Sequence, residues 1–90
     1  MGATRILLAD DHALVRRGLR LILEAERDLE VVAEASDGLE AVEIAAAGGI
    51  DLAIMDIAMP RMTGIQAARE FQRRAPDVRI LMLSMYDNEQ

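Results

Sequence analysis

A short apolar stretch that ends in a single carboxylate constrains this chain more than any other feature. Leu52 to Met55 is apolar without the alternation of a half-exposed strand, and Asp56 follows it directly. Such a run is typical of a strand buried on both faces of a parallel sheet. If it is a strand, Asp56 lies at its carboxyl end, where open α/β sheets bind their ligands. The alternative is an aspartate in an ordinary strand-to-helix turn.

Apolar runs and helical patterns alternate along the whole chain. Strands are predicted at Arg5–Ala9, Glu30–Ala35, Leu52–Met55 and Arg79–Leu83, and helices at Ala13 to about Glu26, Leu39–Ala47 and Ile65–Arg74. This alternation with short connections favours parallel pairing, right-handed crossovers and helices on both faces of the sheet. The predicted fold class is α/β, a flavodoxin-like doubly wound parallel sheet with strand order 2-1-3-4. The stretch Asp87–Gln90 is predicted to begin a further helix.

The predicted helices carry recognisable faces and caps. We expect the first helix to bury one apolar stripe, which consists of Leu14, Gly18, Leu21, Ile22 and Ala25. The pair Arg16-Arg17 lies mostly off this stripe, so a solvated face is predicted for it. Asp11 or His12 is expected at the start of this helix. Asp37 and Thr63 are predicted N-caps of the second and third helices, because each has a short polar oxygen that can accept from the first turn.

Length and composition limit the function classes. The chain has 90 residues, enough for one small domain, and its single Tyr and Phe predict an aliphatic core. It has no cysteine, which excludes a thiol nucleophile and fits a reducing cytoplasm. The net charge of −6 argues against direct nucleic-acid binding, which begins with cationic neutralisation of phosphates. No run approaches the length of a membrane span, and no signal peptide is recognised.

Three carboxylates are predicted to meet at one edge of the sheet. Asp10-Asp11 follow the first strand and Asp56 follows the third, and these strands are neighbours in the predicted order. Like charges in one crevice repel unless a cation is present, and Mg²⁺ prefers such carboxylate oxygens together with phosphate. Aspartate can also attack a phosphoryl group and form an acyl phosphate. Ser84, after the fourth strand, is placed to donate a hydrogen bond to such a group.

Simpler interpretations stand beside this one. Taken alone, Asp10 and Asp11 more readily serve as caps of the first helix. His12 is predicted to be a solvated loop residue. An Asp-His-Ser triad is not supported, because nothing in the sequence brings His12 within reach of Ser84. Only the combined pattern after strands one, three and four carries a strong functional prediction.

That combined pattern resembles the receiver domain of two-component response regulators. The stretch Ile6–Leu19 is similar to the opening of such a domain, and Asp51–Pro60 followed by Gly64 resembles the phosphorylation-site signature. Glu34–Gly38 and Leu81–Tyr86 resemble the ends of the second and fourth strands. The similarity covers essentially the whole chain. It is nearest to receivers that precede a LuxR-type helix-turn-helix output domain.

The resemblance implies a phosphoacceptor module that is not an enzyme in the usual sense. Asp56 would accept a phosphoryl group from a phosphohistidine on a sensor histidine kinase, in the cytoplasm. Asp11 would bind Mg²⁺ directly, and Asp10 would do so directly or through water. Asp56 itself and the backbone carbonyl of Ala58 would supply the other protein ligands. Ser84 would be the switch hydroxyl that turns toward the phosphoryl group, and a transcriptional output domain not present here would respond.

The chain departs from the family pattern in its length and its basic residues. Family domains are usually longer, so residues 1–90 are interpreted as a single receiver domain truncated after the fourth strand, with the fifth strand and last helix missing. All ten basic residues are arginine, so the essential lysine of the family has no counterpart. The planar guanidinium of arginine does not replace a compact ammonium group. Impaired phosphotransfer is therefore expected.

Two other functions compete with this prediction. One is a truncated interaction module that dimerises or competes with an intact regulator. The other is a Mg²⁺-dependent phosphohydrolase, which is disfavoured because Ala58 stands where such an enzyme needs an acid. A homodimer is predicted through the fourth strand, since the apolar run Ile80–Leu83 has no proline or inward charge to protect an open edge.

Overall fold

The computed structural model describes residues 2–83. Its elements are β1 (Thr4–Ala9), α1 (Ala13–Glu24), β2 (Leu29–Ala35), α2 (Gly38–Ala46), β3 (Leu52–Asp56), α3 (Gly64–Arg74) and β4 (Arg79–Leu83). The strands form one four-stranded parallel sheet with the order β2-β1-β3-β4, which confirms the predicted topology. Ser84 and the helix predicted at Asp87–Gln90 lie outside the described residues.

The sheet is covered on both faces, and successive side chains of β1, one of its two central strands, pack into opposite core clusters. Ile6 and Leu8 of β1 belong to the cluster on the α1 face, together with Val31 and Ile54. Leu7 belongs to the opposite cluster, beneath α2 and α3, whose other members include Ala9, Val42, Met55 and Phe71. Buried runs without alternation are therefore the expected signature of β1 and β3.

The prediction that α1 buries the stripe formed by Leu14, Gly18, Leu21, Ile22 and Ala25 is wrong. Leu14, Leu21 and Ile22 are 80%, 70% and 68% exposed, whereas Leu19 and Leu23 pack against the core. Apolar residues occupy two adjacent faces of this helix, and both have helical spacing. Periodicity alone does not decide which of the two faces meets the sheet.

The helix boundaries follow from their caps. Thr63 begins α3 with a full capping box, since its hydroxyl accepts from Gln66 and the Gln66 side chain accepts from the Thr63 N–H. Asp37 accepts from the backbone N–H of Glu40 at 2.8 Å, which confirms the predicted N-cap, and the Glu40 side chain accepts from the backbone N–H and hydroxyl of Ser36. His12 is the N-cap residue of α1, yet its side chain makes no capping hydrogen bond.

Candidate functional site

The ends of β1 and β3 bring the predicted carboxylates together. Ala9 pairs with Met55 in the parallel ladder, so the residues that follow each strand lie side by side. One ligand atom from each of Asp10, Asp11, His12 and Asp56 lies within 4.8 Å of all the others. We call these four residues the acidic cluster. The predicted convergence of the three carboxylates is confirmed, and His12 joins them.

Asp10 is the most deeply buried member of the acidic cluster, at 2% exposure. Its Oδ1 accepts a 2.8 Å hydrogen bond from the His12 backbone N–H. Among residues 2–83, its Oδ2 is buried and finds no hydrogen-bond partner. A buried carboxylate oxygen without a partner carries a large desolvation cost. Because a bound cation would remove that cost, this geometry fits a metal site better than a simple helix cap.

Asp56 ends β3 in a buried position, at 4% exposure. Its Oδ1 accepts from the backbone N–H of Ala58 at 3.2 Å, which orients the carboxylate at the start of the following loop. The Ile57 N–H donates to the Leu83 carbonyl at 3.0 Å, and the Gly64 N–H donates to the Ile57 carbonyl at 2.9 Å. These two bonds fix the backbone just after Asp56.

The remaining members of the acidic cluster are open to solvent. The side chain of Asp11 is 32% exposed and that of His12 is 64% exposed. The His12 ring nevertheless points inward, because its Nδ1 lies 3.1 Å from Asp11 Oδ1 and 3.2 Å from Asp10 Oδ1. The prediction of a plain solvated loop residue missed this contact. The donor set of three carboxylates and one imidazole suits a divalent cation.

Arg16 ties α1 to the acidic cluster and to β2, a role that the sequence interpretation missed. Its Nη1 donates to the Asp10 carbonyl at 2.6 Å, and its Nε donates to Glu34 Oε1 at 2.9 Å. Arg20 donates to the other oxygen of Glu34 at 2.6 Å. The hydrogen bonds from Arg16 and then Arg20 hold the pKa of Glu34 below its ordinary value. The solvated face predicted for Arg16 is therefore wrong.

A second ion pair anchors the loop that follows Asp56. Arg61 contacts Asp37 Oδ2 at 3.0 Å through Nε and at 2.7 Å through Nη2. The backbone N–H of Glu40 and, after it, Arg61 lower the pKa of Asp37. Arg61 adopts a φ of 63°, a left-handed conformation that costs energy for any residue except glycine. The contact thus joins the loop after β3 to the start of α2.

The predicted site residues divide into those brought together and those outside the described range. Asp10, Asp11 and Asp56 meet as expected, and the Ala58 backbone N–H donates to Asp56 Oδ1. The role of the Ala58 carbonyl stays a prediction.

Within residues 2–83, the helices are too short or too polar to span a bilayer.

Comparison with known proteins identifies relatives of this arrangement. The family described as the response regulator receiver domain matches residues 6–90. The transcriptional regulatory protein DegU of Brevibacillus brevis is 44% identical over 85 residues, which are 94% of this chain and 36% of DegU. The response regulator UvrY of Escherichia coli K12 is 43% identical over 81 residues, which are 90% of this chain and 37% of UvrY.

The solved structures agree with these matches. The receiver domain of the response regulator described as NarL from Mycobacterium tuberculosis superimposes with a TM-score of 0.91 at 34% identity. That match covers 98% of this chain and 71% of the other. By contrast, this chain spans well under half the length of the transcriptional regulators that it matches, such as the 36% of DegU.

Proposed function

The chain belongs to the response regulator receiver domain family, and on that premise we propose that Asp56 is its phosphoacceptor. It is a receiver domain of the two-component response regulators, and its relatives are transcriptional regulators. Receiver domains are not classical enzymes; they interact with sensor histidine kinases and bind Mg²⁺ at an acidic pocket. The observation that carries the proposal is the approach of Asp10, Asp11 and Asp56 within 4.8 Å.

The proposed transfer follows from the position of Asp56. A carboxylate oxygen of Asp56 attacks the phosphorus of a phosphohistidine, the P–N bond breaks, and the histidine nitrogen keeps the electron pair and takes a proton from solvent. The product is an acyl phosphate on Asp56. The backbone contact with Ala58 holds the carboxylate in one orientation. A Mg²⁺ ion held by Asp10, Asp11 and Asp56 would neutralise charge on the phosphoryl oxygens.

Phosphorylation of this chain is proposed to be slow, because no lysine is available to contact the phosphoryl group. All ten basic residues are arginine. Within residues 2–83, Arg16, which contacts the Asp10 carbonyl, is engaged with Glu34, and Arg61, on the loop after Asp56, is engaged with Asp37. Removal of one electrostatic contact to a developing charge commonly lowers a rate by about 10²–10³.

Phosphorylation by acetyl phosphate tests the acceptor. The protein is incubated with acetyl phosphate and Mg²⁺ and its intact mass is measured over time. We expect a single phosphoryl adduct in the wild type and in Asp77→Asn, an exposed carboxylate far along the chain, and none in Asp56→Asn. An adduct that persists in Asp56→Asn would lie elsewhere and would refute the assignment.

Mg²⁺ titration tests the metal ligands separately. Calorimetry or NMR shift perturbation is used to compare the wild type with Asp11→Ala and with Asp77→Asn. We expect weak binding in the wild type and the control, and a clear loss in Asp11→Ala. Equal binding by the wild type and Asp11→Ala would remove Asp11 from the site.

An interaction module is the second candidate, and the exposure of β4 favours it. In the described part of the chain β4 pairs with β3 alone, and Leu81 is 49% exposed. We propose a homodimer through this strand, in the cytoplasm, without direct nucleic-acid binding by this chain. Sedimentation equilibrium at micromolar concentration should give twice the 9.9 kDa chain mass. A folded monomer with native circular dichroism would contradict the dimer.

A further inference from the structure

The imidazole of His12 is the part of the acidic cluster that the phosphoacceptor function does not use. His12 directly follows Asp10 and Asp11 and is the N-cap residue of α1, but its side chain makes no capping hydrogen bond. Its backbone is fixed by the 2.8 Å bond from its N–H to Asp10 Oδ1. The ring is thus held over the cluster by its own main chain, while its other edge is open to solvent.

We propose that His12 Nδ1 is a metal ligand and that the acidic cluster binds late divalent transition ions, of the class of Co²⁺ and Ni²⁺, in addition to Mg²⁺. The inference rests on the proposed magnesium site and extends it by one nitrogen ligand. Imidazole nitrogen favours transition ions, whereas carboxylate, carbonyl and water oxygens are sufficient for Mg²⁺. The site therefore discriminates between the two classes of ion through a single residue.

The spacing of the ligand atoms fits coordination. Neighbouring ligands on an octahedral ion with bonds of about 2.1 Å are about 3.0 Å apart. The Nδ1 atom lies 3.1 Å from Asp11 Oδ1 and 3.2 Å from Asp10 Oδ1. Asp56 completes the group, since all four residues offer atoms within 4.8 Å of one another.

A second, independent observation separates a metal ion from a shared proton. A proton on Nδ1 would satisfy the oxygens that the ring already contacts, Asp10 Oδ1 and Asp11 Oδ1. It would leave Asp10 Oδ2 buried and without a partner. A divalent ion near the Asp10 carboxylate interacts with both of its oxygens, so it accounts for the buried atom as well as the orientation of the ring.

The sequence makes this proposal unusually easy to test. His12 is the single histidine of the chain and there is no cysteine, so any imidazole signal in a protein without an affinity tag comes from His12. Asn is the matched replacement, because it keeps a hydrogen-bonding side chain that is favourable at an N-cap. His12→Ala is the second variant.

The experiment compares Co²⁺ with Mg²⁺ on the tag-free wild type, His12→Asn and His12→Ala by calorimetry. We expect both variants to bind Co²⁺ at least about tenfold more weakly and to bind Mg²⁺ nearly as the wild type does. Pulsed electron paramagnetic resonance of bound Cu²⁺, a paramagnetic ion that favours imidazole, with ¹⁵N-labelled histidine should detect the coupling of the His12 nitrogen. Circular dichroism establishes that the variants are folded.

The outcomes distinguish this inference from the function on which it rests. Equal Co²⁺ affinity in the wild type and His12→Asn, or bound Cu²⁺ without histidine coupling, overturns the nitrogen ligand while Mg²⁺ binding stands. A wild type that binds neither ion overturns the metal site itself.

Discussion

The guanidinium of Arg16 donates a 2.6 Å hydrogen bond to the backbone carbonyl of Asp10. The same side chain reaches Glu34, so one residue of α1 holds both the turn after β1 and the end of β2. A helix that supplies none of the three carboxylates therefore stabilises the turn that carries the acidic cluster.

Replacement of Arg16 should weaken both the fold and the site. Arg16→Ala removes two hydrogen bonds that involve a charged donor, and we expect a loss of about 1–3 kcal/mol in the free energy of unfolding. Arg17→Ala, at the exposed neighbouring position, should change it by less than about 0.5 kcal/mol. Urea denaturation measures both. Because Asp10 is less well held, Mg²⁺ affinity should also fall in Arg16→Ala and not in Arg17→Ala; equal behaviour of the two variants would contradict the tether.

Glu34 should make the stability depend on pH in the acid range. Arg16 and Arg20 lower its pKa in the folded state below the ordinary value of 4.5. The unfolded state therefore takes up the proton first as the pH falls, so the stabilising contribution is present above about pH 4.5 and is lost below it. The stability difference between the wild type and Glu34→Gln should be largest near neutral pH and should shrink toward pH 3. Glu30→Gln is the control for removal of one carboxylate from β2, and a difference independent of pH would contradict the assignment.

Arg61 offers a test of backbone strain apart from the ion pair. Both Arg61→Ala and Arg61→Gly remove the contact with Asp37, but only glycine adopts a φ of 63° without strain. We expect the Gly variant to be more stable than the Ala variant by about 1 kcal/mol. Thermal or urea unfolding of the pair provides the comparison. If the Ala variant were as stable as the Gly variant, the loop would have to leave the left-handed conformation when the ion pair is lost.

Two helical glycines should respond in opposite directions to alanine. A Cβ at Gly64 would lie 2.6 Å from the Asp56 carbonyl oxygen, a backbone atom that has little room to move. Gly64→Ala should therefore destabilise the fold by about 1–3 kcal/mol. A Cβ at Gly18 in α1 meets nothing within 4 Å, so Gly18→Ala should stabilise by about 0.5–1 kcal/mol through helix propensity. Urea denaturation of both variants decides the signs, and a neutral Gly64→Ala would contradict the close approach.

The sheet and the meeting of the three carboxylates were predictable from the sequence for a common reason. Buried parallel strands such as Leu52–Asp56 give continuous apolar runs, and their carboxyl ends are fixed by topology once the strand order is known. Asp10 and Asp56 therefore follow from the pattern without any knowledge of side-chain contacts.

The side-chain directions were not predictable. The partial burial of Leu19 and Leu23, rather than of Leu21, depends on the rotation of α1 about its axis, and both faces of that helix are apolar. Arg16 and His12 were missed because each contact depends on where a long or loop side chain points. Nothing in the spacing of the sequence records the left-handed backbone of Arg61.

The hydrogen bond between the Gly64 N–H and the Ile57 carbonyl, 2.9 Å long, joins the two ends of the loop formed by residues 58–63. Because the two ends of the loop are joined directly, their separation does not depend on the residues between them. The closure entropy of the loop rises only slowly with length, by about 0.6 kcal/mol for each doubling. Changes at its exposed positions, such as Pro60, are thus absorbed locally, whereas Met59, which is buried in the core, and Arg61, which contacts Asp37, tie the middle of the loop to the rest of the fold.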